Sequence, residues 1–267
     1  SGFANQSSIN SRKKWIDEAY FRPAACMAVS KSLAQQVSSA TGRHVEVIPN
    51  SSPFFNEPHP QIVEPSSNFT FLSIGSLLPI KAFDRLIHSF ERAFPIEKNI
   101  TLSIAGSGPQ KQYLESIIRK LNLENRIKLL GQLSREQIKS EMQKSNIIVS
   151  SSLYETFGMT LIESLALGRP IIAMNSGGPT DIIKSSDWGI LSENNGLSLS
   201  VALKDAYENF STFKSGAGLC KEAGNFFSDN VVLSQVEKLL IEVANGKQLS
   251  FLGSSESKVK RAELYIR

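Results

Sequence analysis

The stretch FTFLSIGSLLPIKAFDRLIHSFERAFPIEKNITLSIAGSGP, residues 69–109, decides the fold. It opens on an apolar, β-rich run, Phe69–Ile74, which breaks at Gly75. From Phe83 to Phe94 the pattern changes to a helical period, with Leu86, Ile87, Phe90 and Phe94 on one face. A second apolar run, Ile100–Ala105, closes on Gly106-Ser107-Gly108-Pro109. This strand–helix–strand unit then repeats. Further strands are expected at Ile127–Leu130, Ile147–Val149, Pro170–Met174 and Gly189–Leu191. Amphipathic segments lie between them at Gln110–Leu121, Ser134–Lys144, Thr160–Leu167 and Thr180–Lys184, with Pro109 expected at a first helical position. Such alternation predicts an α/β fold, a Rossmann-like doubly wound parallel sheet covered by helices on both faces.

Working outward, the strands stop after residue 197, and Leu197–Phe213, Gly218–Phe227 and Asn230–Ala244 read as consecutive helices. Upstream, Ala25–Val29 and Val45–Ile48 read as strands flanking a helix Lys31–Thr41, one βαβ unit too small to close a domain. Residues 1–49 therefore read as the end of an upstream domain whose front is missing, consistent with a start at Ser1-Gly2. The Pro-, Ser- and Asn-rich residues 50–68 read as a linker, 69–245 as the main domain and 246–267 as a basic tail.

Composition limits the function classes. Of the 267 residues 41% are hydrophobic and 20% charged, enough apolar surface to exclude a disordered chain or a coiled coil. The net charge of +4 is spread along the sequence, which is no nucleic-acid footprint but would suit a phosphorylated ligand or an anionic membrane surface. Cys26 and Cys220 have no metal-ligand spacing and His44, His59 and His88 form no cluster with them. Two isolated cysteines fit a reducing compartment, so a cytoplasmic protein is expected, with peripheral contact at the inner membrane face as an option. No apolar run approaches the ~20 residues that span a bilayer.

Ligands of open α/β sheets bind beyond the carboxyl ends of the strands. The unusual residues of this chain collect there: Gly75, Ser76 and Lys81, then Gly106, Gly108 and Pro109, then Gly131. Ser150–Gly158 and Asn175–Pro179 follow the next two strands. Any one glycine after a strand is often only a turn, but five clusters along one edge predict a cleft floored by backbone N–H groups. Gly158 precedes a helix, whose N-terminus suits a phosphate, and Lys81 adds a full positive charge. Gly106-Ser107-Gly108-Pro109 lacks the third glycine of a dinucleotide fingerprint, which disfavours a dehydrogenase. Glu155 and Glu163 read either as ordinary helix-entry and surface charges or as acceptors for the hydroxyls of a sugar and a ribose.

With these residues in place the chain resembles the retaining glycosyltransferases of GT-B architecture in the large family 4, strongly over residues 69–185 and more weakly over 23–52. Residues 152–170, from Ser152 through Glu155, Phe157-Gly158 and Glu163 to Gly168-Arg169-Pro170, look like the family's Glu-x7-Glu signature. Residues 74–81 look like its donor-phosphate loop, residues 104–109 and 176–181 match two further landmarks, and Val47-Ile48-Pro49-Asn50 looks like its hinge. The resemblance implies a nucleotide-sugar donor, UDP- or GDP-linked, and a saccharide or lipid-linked acceptor. It assigns Lys81 to the diphosphate, Glu155 to the transferred sugar and Glu163 to the ribose. Backbone groups of Thr156, Phe157, Gly158, Met159, Thr160 and Leu161 would cradle phosphates and sugar, and the base would rest near Lys128–Leu130.

No metal or other cofactor is implied, and the chain has no Asp-x-Asp pair to hold one. Ser76 stands where the family usually has arginine, Ala82 where it has glycine, Ser51 where it has glycine and Asp181 where it has glutamate. The expected activity is hexose transfer with retention, this chain supplying the donor site and the missing N-terminal part the acceptor side. Two rivals remain open: a non-catalytic module of the same architecture, which Ser76 favours, and a nucleotide-sugar epimerase or hydrolase.

Overall fold

The computed structural model describes residues 24–57 and 68–246. The expectations for residues 1–23, for 58–67 within the linker and for the tail from 247 lie outside them. The described residues form two compact units, 24–49 with 232–246, and 50–231.

In the larger unit the strands β3 (Phe69–Ile74), β4 (Ile100–Ala105), β5 (Ile127–Gly131), β6 (Ile147–Ser150), β7 (Ile171–Met174) and β8 (Gly189–Ser192) form one sheet. Their order is β5-β4-β3-β6-β7-β8 and every pairing is parallel. The chain starts at β3, runs outward through β4 and β5, then returns to the other side of β3 at β6. The connections after β3 and β6 therefore leave the sheet in opposite directions, which opens a crevice between them.

Helices α2 (Phe83–Ala93), α3 (Lys111–Lys120), α4 (Arg135–Lys144), α5 (Met159–Ala166), α6 (Gly196–Glu208) and α7 (Gly216–Phe227) cover the sheet. The expected face of α2 is the buried one: Leu86, Ile87 and Phe90 are fully buried and Phe94 nearly so. Phe71 of β3 lies against Phe90 and Phe94, and Phe69 meets Tyr207 and Phe210 edge-on, so aromatic packing ties α2 and α6 to the central strand. Ser134 caps α4 with a full capping box closed by Gln137.

Four local expectations change. Pro109 lies in the turn before α3, which starts at Lys111, because Gln110 donates its N–H to the Leu77 carbonyl. Thr180–Lys184 is not an α-helix; Gly178–Asp181 is a single 3-10 turn. The helix expected to reach Phe213 ends at Glu208 and resumes as a 3-10 turn, Phe210–Thr212. Within the expected linker, Pro53–Asn56 forms a 3-10 turn with Phe54 buried, so this part belongs to the larger unit's core.

In the smaller unit β1 (Met27–Ala28) pairs in parallel with β2 (Glu46–Val47) across α1 (Lys31–Thr41). Ser30 caps α1 and left-handed Gly42 ends it. Helix α8 (Asp229–Ala244) was expected inside the main domain. From Val232 onward it belongs to the smaller unit instead, because Val232 and Leu239 pack on Ile48.

Ala82, directly after Lys81, adopts φ +47° at the start of α2 and is buried. A left-handed residue bearing a Cβ costs roughly 1–2 kcal/mol. Ala82→Gly is therefore expected to stabilise the protein by about 1 kcal/mol, a rise of about 2–4 °C in a thermal melt. An unchanged or lower Tm would show that the conformation is unstrained.

Candidate functional site

At the crevice between β3 and β6 the loops that follow these two strands face each other. Lys81 comes from the loop after β3 and Glu155 from the loop after β6, and their side chains form an ion pair at 2.6 Å. Both are largely buried, 26% and 18% exposed. Each is held from its own backbone. Ser151 Oγ donates to the Lys81 carbonyl at 2.8 Å, and Leu153 N–H donates to the Ile80 carbonyl at 2.8 Å. Glu155 N–H donates to the Ser176 carbonyl at 2.9 Å, and its own carbonyl accepts from Gly178 N–H at 2.7 Å.

Glycines make this closeness possible. A Cβ on Gly178 would lie 2.3 Å from Phe157 Cα, and one on Gly106, at φ +148°, would lie 1.8 Å from the Gly75 carbonyl oxygen. The aliphatic chain of Lys81 runs 3.6 Å from where a Cβ on Gly75 would stand. Gly75 also lines a cavity of about 290 Å³ at the carboxyl ends of β3, β4 and β5. Its lining is Ile74, Gly75, Ser76, Ala105, Gly106, Ser107, Gln132, Leu133 and Ile138.

Of the expected site residues, Gly75, Ser76 and Gly106 meet at this cavity and Lys81 meets Glu155. Gly108 packs against the Leu77 backbone, and Pro109 is an exposed turn residue outside the cavity lining. Phe157 is buried edge-on against Phe227, so only its backbone faces the loop side. Gly158, at φ +113°, precedes α5, whose first N–H groups have no carbonyl one turn back to bond. Thr156 and Met159 are exposed there and Thr160 half-buried. Leu161 is less available: its N–H donates to the Gly158 carbonyl at 3.0 Å and its side chain is core.

Base contacts were expected near Lys128–Leu130. Lys128 and Leu130 sit on the edge strand β5 and do not line the cavity, whereas Gln132, Leu133 and Ile138 do. Gln132 follows the last residue of β5, so the strand-end rule could have pointed to it.

Glu163 is half-buried on the second turn of α5, and burial pushes its carboxyl above the ordinary 4.5 while the Arg135 charge at the start of α4 pulls it back. A carboxyl raised by folding disfavours the ionised form in the native state. That stability is fully present below pH 4.5 and is lost as the pH rises through the raised value. Glu163→Gln is therefore expected to raise Tm near neutral pH, with the two proteins melting alike in acid. A lower Tm at neutral pH would mean that the carboxylate is a structural partner. Among the described residues no cluster of His, Cys, Asp and Glu could hold a metal, and no helix is long and apolar enough to cross a membrane.

A family model described as glycosyl transferases group 1 matches residues 54–210, more than half of the chain. The chain belongs to the group 1 glycosyl transferases. Among curated relatives, an uncharacterized glycosyltransferase of Methanocaldococcus jannaschii is 38% identical over 117 residues, 43% of this chain and 28% of the relative. The gpi3 subunit of the Schizosaccharomyces pombe phosphatidylinositol N-acetylglucosaminyltransferase is 31% identical over 145 residues, 54% and 31%. These matches span about a third or less of each relative's own length. The group 1 fold recurs in the Anabaena protein HepE in complex with UDP-glucose, with a TM-score of 0.71 at 21% identity, over 88% of this chain and 68% of that one. It recurs also in the pneumococcal O-GlcNAc transferase GtfA in complex with UDP and GlcNAc, with 0.68 at 18% identity, over 86% and 48%.

Proposed function

We propose that this chain carries the donor site of a glycosyltransferase that moves a hexose from a nucleotide-diphosphate sugar to a saccharide or lipid-linked acceptor with retention. The observation that carries the reading is the Lys81–Glu155 pair at the switch point of the sheet, next to a glycine-floored cavity of nucleoside size. The cavity takes the base. The diphosphate crosses Gly75 toward Lys81 and the start of α5, where a full charge and N–H dipoles oppose the charge that develops on the leaving group. Glu163 accepts hydrogen bonds from the ribose diol, and Glu155 accepts from a hydroxyl of the sugar while aligning Lys81.

In the transfer the bond from the anomeric carbon to the β-phosphate oxygen breaks and the acceptor oxygen bonds to the same face. The acceptor proton passes to the departing diphosphate, so no protein nucleophile and no metal is required. The UDP-glucose bound by HepE and the UDP bound by GtfA support a UDP-sugar first and a GDP-sugar second. The lipid acceptor named for one relative supports a lipid-linked acceptor reached at a membrane surface.

A thermal-shift panel of UDP, GDP, ADP and their sugars, with and without magnesium, tests the proposal. One nucleotide at 100 times its Kd should stabilise the fold by about 2.7 kcal/mol, equally in both conditions. Stabilisation only with magnesium would contradict the metal-free site. The reading of the chain as a non-catalytic module rests on Ser76, which leaves the cavity without the family's arginine; silence to every nucleotide would favour it.

A further inference from the structure

A third strand-end loop joins the two that carry Lys81 and Glu155. Residues 193–195 lead from β8 into α6, where Asn195 Oδ1 accepts from Ser198 N–H at 2.8 Å to cap the helix. Ser89 Oγ of α2 donates to the Gly196 carbonyl at 2.9 Å, so the start of α6 is also tied to α2. From this anchored loop the Asn194 side chain makes two bonds. Its Nδ2 donates to the carbonyl of Leu153, two residues before Glu155, at 2.9 Å. Its Oδ1 accepts from Arg85 Nη1 at 2.9 Å, and the same Nη1 donates to the Asn194 backbone carbonyl at 3.0 Å. The amide cannot be turned over. A guanidinium only donates, so it must meet the oxygen, and a backbone carbonyl only accepts, so it must meet the NH2. Arg85 stands on the first turn of α2, four residues after Lys81. Leu153 N–H in turn donates to the Ile80 carbonyl at 2.8 Å. Residues 80–85, Asn194 and Leu153 therefore close a ring that joins both arms of the site.

We propose that Asn194 is a positioning residue of the donor site, locked by Arg85 so that its amide pins the Leu153 carbonyl and with it the segment that presents Glu155 to the sugar. The inference rests on the proposed donor site, but none of these bonds goes to Lys81 or Glu155 themselves. A loop already held in its binding geometry does not have to be ordered when the ligand arrives, and a residue remote from the ligand adds affinity in that way. The Lys81 carbonyl has a separate hold on Ser151 Oγ at 2.8 Å. Loss of the Asn194 bond therefore falls on the Glu155 arm, and so on the sugar more than on the diphosphate.

The test is calorimetric titration of the full chain with two pairs, UDP with UDP-glucose and GDP with GDP-mannose. The readout is how the ratio of sugar-nucleotide to free-diphosphate affinity changes between wild type and variant. In Asn194→Ala the ratio should fall about three- to tenfold, the worth of one hydrogen bond, while the free diphosphate changes by no more than about twofold. Asn194 is exposed, so the variant should melt close to the wild type. Asn194→Asp separates positioning from mere structure. It keeps the acceptor for Arg85 and adds an ion pair, so it should melt at least as high as Asn194→Ala, but it turns an acceptor toward the Leu153 carbonyl. Its ratio should fall as far as in Asn194→Ala. Arg85→Ala frees the amide to turn and should lower the ratio in the same direction. Asn209→Ala is the control: it removes another exposed amide bond, to Asp205 at 2.7 Å, and should leave the ratio unchanged. A wild-type ratio in Asn194→Ala, or a ratio restored in Asn194→Asp, overturns this inference and leaves the donor site standing. A wild type that binds neither sugar nucleotide overturns both.

Discussion

Lys81→Ala is expected to weaken binding of a nucleoside diphosphate by roughly 10- to 100-fold. A charge-assisted hydrogen bond contributes about 1.5–3 kcal/mol, and each 1.4 kcal/mol is tenfold in affinity. The lysine also neutralises Glu155, which it touches at 2.6 Å in a setting where both are mostly shielded from water. Removing it leaves a carboxylate facing the diphosphate, so the loss should lie toward the upper end. The double variant Lys81→Ala with Glu155→Gln should then recover part of it, because the repulsive charge is gone. Glu155→Gln alone should bind the free diphosphate at least as well as the wild type. It should lose the extra affinity that the sugar adds, since Glu155 is the group assigned to the sugar hydroxyl. Titrations of UDP and UDP-glucose with the four proteins separate these effects. Equal binding by wild type and Lys81→Ala would remove the lysine from the site.

Gly106→Ala should be the most damaging small substitution. The new Cβ would stand 1.8 Å from the Gly75 carbonyl oxygen, a backbone atom that cannot swing aside, at a φ of +148° that L residues rarely adopt. The Gly106 N–H also bonds the Gly131 carbonyl at 2.8 Å, so the ends of β3, β4 and β5 must separate to make room. Overpacking of this kind costs about 3 kcal/mol. A Tm fall of about 6–12 °C is expected, together with loss of nucleotide binding, because the cavity floor is what moves. Gly218→Ala is the control: it is exposed in α7, a Cβ there meets nothing within 4 Å, and alanine is the better helix former. It should melt at or above the wild-type temperature. If Gly106→Ala melted like it, the close approach would not be real.

Much of this was legible in the sequence because parallel strands are buried on both faces and stand out as short apolar runs. Phe69–Ile74 and Ile100–Ala105 have the predicted ends, and α2 buries the predicted face. Expectations slipped where a tertiary bond overrides local propensity. Gln110 bonds Leu77 and delays α3 past Pro109, and Gly177-Gly178-Pro179 closes a tight turn before a helix can start. Helix α8 has one clear apolar face, but periodicity does not say which unit that face covers. At the site, the strand-end rule found Lys81 and Glu155 separately; nothing in a separation of 74 residues says that they pair. Gln132 carries no motif, and its place in the cavity lining is a product of the fold. The influence of Arg135 on Glu163 is likewise spatial.

The central claim is that Lys81 holds a diphosphate at the switch point of the sheet, and it is tested most directly by the affinity that a second phosphate adds. UDP and UMP are titrated into the wild type and into Lys81→Ala. The account predicts that UDP binds the wild type at least about tenfold more tightly than UMP, and that this increment all but disappears in the variant while UMP binding changes little. An increment that persists in Lys81→Ala, or that is absent from a wild type able to bind UMP, would contradict it.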